Sequence, residues 1–257
     1  MGNARTMAMI VGLIAGLLAT SFAFTVHAAE IRIAVASNFA NAMRDIVARY
    51  EAASGNDVVL AFGSTGKHYA QIVNGAPFDA FFAADGARPR RLETEGYIVG
   101  GSRFTYARGR IVLWSADAHA FTDPKQALRR AGFSRLAVAN PRLAPYGLAA
   151  KQTLTELGLW RDLQGRIVMG ENIGQTYQFV ASGNAPLGFV ALSQVRTPAA
   201  DVVGSHWVVP ESYHSPIRQQ AVALADRPAV ADFLEFVRGE AAAGIIRGFG
   251  YAIPGGE

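Results

Sequence analysis

Three short apolar runs decide the fold of this chain: Ile31-Arg-Ile-Ala-Val-Ala36, Asp57-Val-Val-Leu-Ala-Phe62 and Phe78-Asp-Ala-Phe-Phe-Ala-Ala84. Each run is rich in β-branched or aromatic residues, which predicts a buried strand. After the first run, apolar side chains recur at helical spacing from Phe39 to Tyr50, and Gly55 follows where a helix-ending glycine is expected. A second helical segment separates the other two runs. This strand–helix alternation predicts a parallel sheet with right-handed crossovers.

A second series of alternating elements follows the first. It predicts strands over residues 111–114, 135–139, 166–169 and 187–191, and helices over 124–130, 146–157 and 174–182. A strand over 219–224 and one long helix over 230–246 end the series. The number of elements predicts an α/β fold of two lobes, each a mostly parallel sheet flanked by helices, with a ligand cleft between them. Lobe 1 is predicted to comprise residues 29–108 and 215–257, and lobe 2 residues 109–214.

The first 28 residues differ in composition from the rest of the chain. Arg5 is their only charged residue, and the run over 7–24 is almost entirely apolar. Val26-His-Ala28 places small residues at positions −3 and −1 of a cleavage site. This pattern predicts a secretory signal peptide over residues 1–28, rather than an uncleaved membrane anchor. We therefore expect an exported protein of the bacterial periplasm.

Composition excludes several classes of protein and site. The chain has 257 residues, of which 51% are hydrophobic and 17% charged, so extended disorder, coiled coil and collagen are excluded. The absence of cysteine excludes disulfides, thiolate nucleophiles and Cys-ligated metals. The net charge is only +4 and the arginines are scattered, so no nucleic-acid partner is expected. No metal site is expected either, because metal-ligand spacing is absent among the four histidines after the leader: His68, His119, His206 and His214.

Four strand-to-helix loops form the predicted ligand site: Ala36-Ser-Asn-Phe39, Gly63-Ser-Thr-Gly66, Ala144-Pro-Tyr-Gly147 and Glu171-Asn-Ile-Gly174. Ligands of open parallel sheets bind beyond the carboxyl ends of the strands, and helix N-termini attract anions. Apart from Lys67, one turn further on, the loops supply no basic residue. They predict a small anion held by neutral donors: backbone N–H groups, serine hydroxyls, the Asn38 amide and the Tyr146 hydroxyl. Each loop alone also suits an ordinary helix cap, and the occurrence of two in each lobe favours a site.

Five segments carry a family resemblance: Ile33-Ala-Val-Ala-Ser37-Asn38-Phe39, Phe62-Gly-Ser64-Thr65-Gly66-Lys67, Phe78-Asp-Ala-Phe-Phe-Ala-Ala-Asp85, Ala139-Asn140-Pro141 with Pro145-Tyr146-Gly147, and Asn184-Ala-Pro-Leu-Gly-Phe-Val190. In their order and spacing, the chain resembles the periplasmic molybdate-binding proteins of ABC importers. The resemblance implies the periplasmic-binding-protein fold, whose hinged lobes close on one tetrahedral oxyanion, molybdate or tungstate. It also implies a monomer without cofactor or catalytic activity, which docks on a membrane permease.

Carried over by position, the resemblance implies these oxyanion contacts: Ser37, Asn38, Ser64, Tyr146 and Ile173. The last would contribute its backbone N–H. Some members of the family carry a tyrosine whose hydroxyl reaches the anion where this chain has Ala191. Those members have alanine at the position of Tyr146, so the Tyr146 hydroxyl is expected to replace that contact from the other side.

The choice of anion follows partly from protonation. Molybdate, tungstate and sulfate are fully deprotonated at pH 7 and only accept hydrogen bonds. Hydrogen phosphate carries a proton, so it needs a buried acceptor, for which Asp85 and Glu171 are the nearest candidates. A site built only of donors would leave that proton unpaired and disfavour phosphate. Molybdate and sulfate differ in size, which the sequence does not address.

Two other functions remain as alternatives. Ser64-Thr-Gly-Lys67 fits the S-x-x-K motif of acylating serine enzymes, and Ser182-Gly-Asn184 resembles their S-x-N element, but the K-T-G element is missing. A binding protein for sulfate, phosphate or an organic acid would keep the fold. An organic acid usually needs an arginine to hold its carboxylate, and the nearest to the four loops is Arg142. The expected function is therefore oxyanion binding without catalysis.

Overall fold

The structure, a computed structural model, describes residues 29–253, so the predicted signal peptide lies outside the described residues. The strands are β1 (Glu30–Ala36), β2 (Asp57–Gly63), β3 (Ala80–Ala83), β4 (Phe104–Gly109), β5 (Ile111–Ser115), β6 (Leu136–Ala139), β7 (Ile167–Gly170), β8 (Leu187–Ala191), β9 (Ser205–Val208) and β10 (Ile217–Ala223). The α-helices are α1 (Ala40–Ser54), α2 (Thr65–Val73), α3 (Ala87–Thr94), α4 (Pro124–Arg130), α5 (Pro145–Glu156), α6 (Trp160–Leu163), α7 (Ile173–Ala181), α8 (Leu192–Val195), α9 (Pro228–Arg238) and α10 (Glu240–Gly248). A 3₁₀ turn, Ser37–Phe39, joins β1 to α1.

The strands form two five-stranded sheets, in the orders β2-β1-β3-β10-β4 and β7-β6-β8-β5-β9. In each sheet the fourth strand, β10 or β5, is antiparallel to both neighbours, so the other four strands run the same way. This confirms the predicted two-lobed α/β fold with mostly parallel sheets. The chain crosses between sheets from β4 to β5 and from β9 to β10. The lobe boundaries at residues 108/109 and 214/215 remain a prediction of how these lobes divide.

The first predicted loop, residues 36–39, packs against an aromatic cluster. Helix α1 buries one face through residues at helical spacing, and Gly55 ends it in the left-handed conformation with φ of 72°. Phe39, the last residue of the 3₁₀ turn, is fully buried. Its ring packs 4.7 Å from that of Tyr106 and 5.4 Å from that of Tyr251, centroid to centroid. This packing fixes the position of the two polar residues that precede Phe39.

Several elements differ from the sequence prediction. The helix predicted over residues 230–246 is two helices, because Gly239 adopts an extended backbone (φ −73°, ψ 161°) between α9 and α10. Strands β4 and β9 and the four-residue helices α6 and α8 were not predicted. Polar residues interrupt the apolar pattern of β4, and its pairing with β10 establishes it as a strand. Between residues 29 and 253, no helix is long and apolar enough to cross a membrane.

Candidate oxyanion-binding site

A small cavity lies between the two lobes, at the carboxyl ends of the parallel strands. The structure brings all five predicted site residues to its walls: Ser37, Asn38, Ser64, Tyr146 and Ile173. The rest of the wall is small or apolar, and sequence reasoning did not single out its hydroxyl-bearing member, Thr65, although that residue lies in a loop it had identified. No charged side chain lines the cavity among the described residues. Any hydrogen bonds to a ligand would therefore come from neutral groups.

Helix starts from both lobes meet at this cavity. Lobe 1 contributes the 3₁₀ turn that leads into α1, and α2, which begins after Ser64. Lobe 2 contributes α5, which begins after Ala144, and α7, which begins after Asn172. The first N–H groups of a helix have no partner within it, and the helix dipole places roughly half a positive charge at that end. These helix starts therefore favour negative charge at the cavity, although no basic side chain among residues 29–253 lines it.

The helix caps differ in which backbone N–H groups they leave available to a ligand. The Ser64 hydroxyl accepts from the Lys67 N–H at 3.3 Å, and Asn172 Oδ1 accepts from the Gln175 N–H at 3.0 Å. Helix α5 has no side-chain cap, because its cap position is Ala144. Its first helical residue is proline, so the next one, Tyr146, offers the first N–H group of that helix. This N–H is the donor that lobe 2 presents from α5.

Ser37 joins the first lobe to the start of α7. Its hydroxyl oxygen accepts from the Gly174 N–H at 3.2 Å, and its proton is donated to Asn172 Oδ1 at 3.1 Å. A hydroxyl proton can rotate, so the same group can donate to an anion in the cavity while still accepting from Gly174. Ser37 therefore acts both as a potential ligand and as a contact between lobes.

Two expected donor groups point elsewhere in the structure. The side-chain amide of Asn38, expected to donate to the anion, donates instead to Gln219 Oε1 at 2.8 Å and to the Tyr251 hydroxyl at 3.0 Å. The Tyr146 hydroxyl, expected to replace the tyrosine missing at Ala191, accepts from Gln219 Nε2 at 3.2 Å. Both side chains are satisfied by a buried network centred on Gln219. What Asn38 and Tyr146 can offer the cavity is their backbone N–H groups.

The tyrosines of this network stay neutral at ordinary pH. Burial raises the pKa of the Tyr146 and Tyr106 hydroxyls well above the usual value of a phenol. It also raises the pKa of Tyr251 to about 12, although the hydrogen bonds of this hydroxyl with Ser193 and Asn38 oppose the rise. Because none of these hydroxyls ionises near neutral pH, no phenolate charge repels an anion in the adjacent cavity.

The lobes also touch each other directly beside the cavity. The Gly66 N–H donates to the Leu143 carbonyl at 2.8 Å, and the Arg88 guanidinium donates to the Arg142 carbonyl at 2.9 Å. A Cβ at Gly66 would lie 3.0 Å from the Leu143 Cα, so glycine permits this close approach. Sequence reasoning missed these contacts, since the partners lie far apart in the chain and belong to different lobes.

Comparison with known proteins places this chain in a family. The family described as bacterial extracellular solute-binding proteins matches residues 31–252. The chain belongs to this family.

Two relatives and one solved structure show how close the similarity is. The molybdate-binding protein ModA of Azotobacter vinelandii is 46% identical over 248 residues, which cover 95% of this chain and 97% of the relative. ModA of Rhodobacter capsulatus is 42% identical over 252 residues, covering 97% and 95%. The structure of the Azotobacter vinelandii periplasmic molybdate-binding protein has a TM-score of 0.85 at 41% identity, covering 87% of this chain and 99% of that one. These relatives are binding proteins, which confirms the prediction that this solute-binding protein is not an enzyme.

The geometry around Ser64 agrees with a binding protein rather than an acylating serine enzyme. In this solute-binding protein the Ser64 hydroxyl caps α2 by accepting the Lys67 backbone N–H. The Lys67 side chain is exposed at the surface. Within residues 29–253, no hydrogen bond joins the Lys67 ammonium to the Ser64 hydroxyl, as the acylating motif would require of its general base.

Proposed function

We propose that this solute-binding protein captures molybdate in the periplasm and delivers it to the membrane permease of an ABC importer. The observation that carries the proposal is the cavity between the lobes, lined by all five predicted residues and, within the described part of the chain, by no charged side chain. The names of the relatives at 46% and 42% identity support molybdate as the ligand. We further propose that tungstate binds in the same site, that the protein acts as a monomer, and that residues 1–28 direct its export.

The donors of the proposed site come from both lobes. They are the hydroxyls of Ser37 and Ser64 and the backbone N–H groups of Asn38, Tyr146 and Ile173. Hydrogen bonds to an ionised acceptor are roughly twice as strong as neutral ones, and the helix dipoles favour negative charge at this point. Such a set can hold a buried dianion without a salt bridge.

Among the described residues no carboxylate lines the cavity, which favours molybdate over hydrogen phosphate. Asp85, one of the two expected acceptors, forms a salt bridge with Arg88 and accepts its backbone N–H at 3.0 Å. Glu171 is exposed. Neither carboxylate lines the cavity. The proton of hydrogen phosphate would therefore meet no carboxylate acceptor there, and a buried proton left unpaired costs about 1–3 kcal/mol.

Binding is proposed to favour lobe closure because the anion touches both lobes. A ligand shifts a conformational equilibrium only by its differential affinity for the two states. Ser37 and Ser64 reach the cavity from lobe 1, and Tyr146 and Ile173 reach it from lobe 2. Only the closed arrangement lets one anion use both sets of donors. The direct contact from Gly66 to Leu143 would add to that preference.

Thermal melting tests the proposed ligand. We expect molybdate or tungstate, at about 100 times its Kd, to stabilise residues 29–257 by roughly 2.7 kcal/mol. For a chain of this size, this corresponds to a rise in Tm of about 5–10 °C. Sulfate and phosphate at the same concentration are the controls. A rise with sulfate or phosphate but not molybdate would contradict the proposed ligand, and no rise with any oxyanion would contradict the site.

Replacing Tyr146 by phenylalanine tests whether its hydroxyl or its backbone N–H binds the anion. Tyr146→Phe removes the hydroxyl but keeps the backbone N–H, so we expect molybdate affinity to change by less than about threefold. Stability should fall by about 0.5–1.5 kcal/mol, because the hydrogen bond from Gln219 is lost. Titration calorimetry measures the affinity, and Tyr106→Phe, in the same network but outside the cavity wall, is the control. A tenfold loss specific to Tyr146→Phe would show that the hydroxyl binds the anion.

A further inference from the structure

A second cavity, the outer cavity, adjoins the oxyanion site. It has a volume of about 310 Å³ and lies between α1 of the first lobe and α7 of the second. Ser37 and Asn38 line both cavities. An anion that reaches the inner site from this side must pass through the outer cavity first. The outer cavity is therefore a candidate approach route.

Arg44 is the one charged residue on the wall of this outer cavity within the described part of the chain. Its Nη1 donates to Asn41 Oδ1 at 3.1 Å, and its guanidinium lies 4.7 Å above the centroid of the Phe62 ring. Both partners are neutral, so they orient the guanidinium without cancelling its charge. No acidic side chain between residues 29 and 253 forms an ion pair with Arg44.

The two cavities attract an anion over different distances. The inner site presents only neutral donors, whose attraction falls off within a few ångströms. A full charge acts over a longer range, about one Debye length, or roughly 10 Å at 0.1 M salt. A guanidinium is also a planar fork of donors that suits an oxyanion. The outer cavity thus contains the group that the inner site lacks for attracting a dianion from solution.

On the basis of the oxyanion function proposed above, we propose that Arg44 is the first contact of the incoming oxyanion and accelerates its capture. The anion meets the guanidinium in the outer cavity and then moves to the hydroxyls and N–H groups of the inner one. Arg44 does not line the inner cavity, so its charge acts on the approach of the anion more than on its final hydrogen bonds. It attracts small oxyanions in general, and selection among them is left to the inner site.

Stopped-flow fluorescence tests this role in the exported chain, residues 29–257. Tyr177 lines the outer cavity and stacks on Trp114 with ring centroids 5.4 Å apart, so tryptophan emission reports on this region. We expect Arg44→Gln to lower the association rate constant for molybdate about 2- to 5-fold at 10 mM salt. The difference should disappear at 0.5 M salt, and Arg44→Lys should retain most of the rate.

A matched control lies on the same helix. Arg49 is exposed on α1 and does not line the outer cavity, so Arg49→Gln makes the same change in net charge away from the route. We expect its association rate constant to stay within about 1.5-fold of wild type. Equal rates for Arg44→Gln and wild type at low salt, or a deficit that persists at 0.5 M salt, would overturn the proposal. If the wild-type protein bound no oxyanion in calorimetry, the proposed function itself would fail.

Discussion

Replacing Ser37 by alanine is expected to weaken molybdate binding by about 1–3 kcal/mol, or roughly 5- to 150-fold, because a donor to a buried charge is lost. Ser37 is the group through which lobe 1 contacts the start of α7, by its hydrogen bonds with Asn172 and Gly174. The substitution therefore removes a proposed ligand and a contact that supports closure. Ser64→Ala should weaken binding by a similar amount, through loss of the donor on the neighbouring loop of lobe 1.

In these variants calorimetry measures the affinity for molybdate, and melting without ligand measures the stability of the fold. Ser64 caps α2, so its removal should also cost about 0.5–2 kcal/mol of stability. Ser37 is not a helix cap, so its variant should lose affinity with a smaller change in Tm. Ser54→Ala, at the far end of α1, is the control and should bind molybdate as wild type does. Unchanged affinity in both the Ser37 and the Ser64 variants would contradict the assigned site.

Replacing Gln219 by leucine is expected to lower the free energy of unfolding by about 2–5 kcal/mol. Gln219 is fully buried on β10. Its Oε1 accepts from Asn38 Nδ2 and from the Tyr106 hydroxyl, and its Nε2 donates to the Tyr146 hydroxyl. Leucine can make none of these bonds, so buried polar groups from both lobes would lose a partner. A native domain is stable by only about 5–15 kcal/mol, which makes this a large loss.

The neighbouring glutamine provides a matched control for this effect. Gln220 is half-buried, and it bonds to Arg103 and Thr105 rather than to the central network. Gln220→Leu should therefore cost less than about 1 kcal/mol, since water can replace its bonds. Urea unfolding measures both variants. A loss below 1 kcal/mol in Gln219→Leu, equal to that of its neighbour, would show that the network contributes little to stability.

Molybdate affinity gives a second measure of what the Gln219 network contributes. Asn38 belongs to the turn that lines the cavity, and its side chain is held by Gln219 and Tyr251. Its carbonyl also accepts from Ser193 of the second lobe at 2.9 Å. Loosening this turn should reduce molybdate affinity in Gln219→Leu at temperatures where the variant is still folded. The network thus connects the stability of the protein around β10 with the geometry of the site.

The amino-acid sequence by itself determined the order of most strands and helices and the loops that surround the cavity. Hydrophobic periodicity and helix starts are properties of a few neighbouring residues, so they can be read locally. The same local signals, together with the family resemblance, placed Ser37, Ser64 and Ile173 on one cavity wall with Asn38 and Tyr146. Local signals failed at Gly239, where one predicted helix is two.

Only the tertiary structure decided which atoms of these residues face the cavity. The Asn38 amide and the Tyr146 hydroxyl both turn to Gln219, which lies 181 and 73 residues away in the chain. Strand β4 and the bond from Gly66 to Leu143 likewise depend on segments that are distant in sequence. The physical reason is that buried polar groups take the partners that packing brings within about 3 Å. No local pattern specifies those partners, because they are set by how the lobes fold and meet.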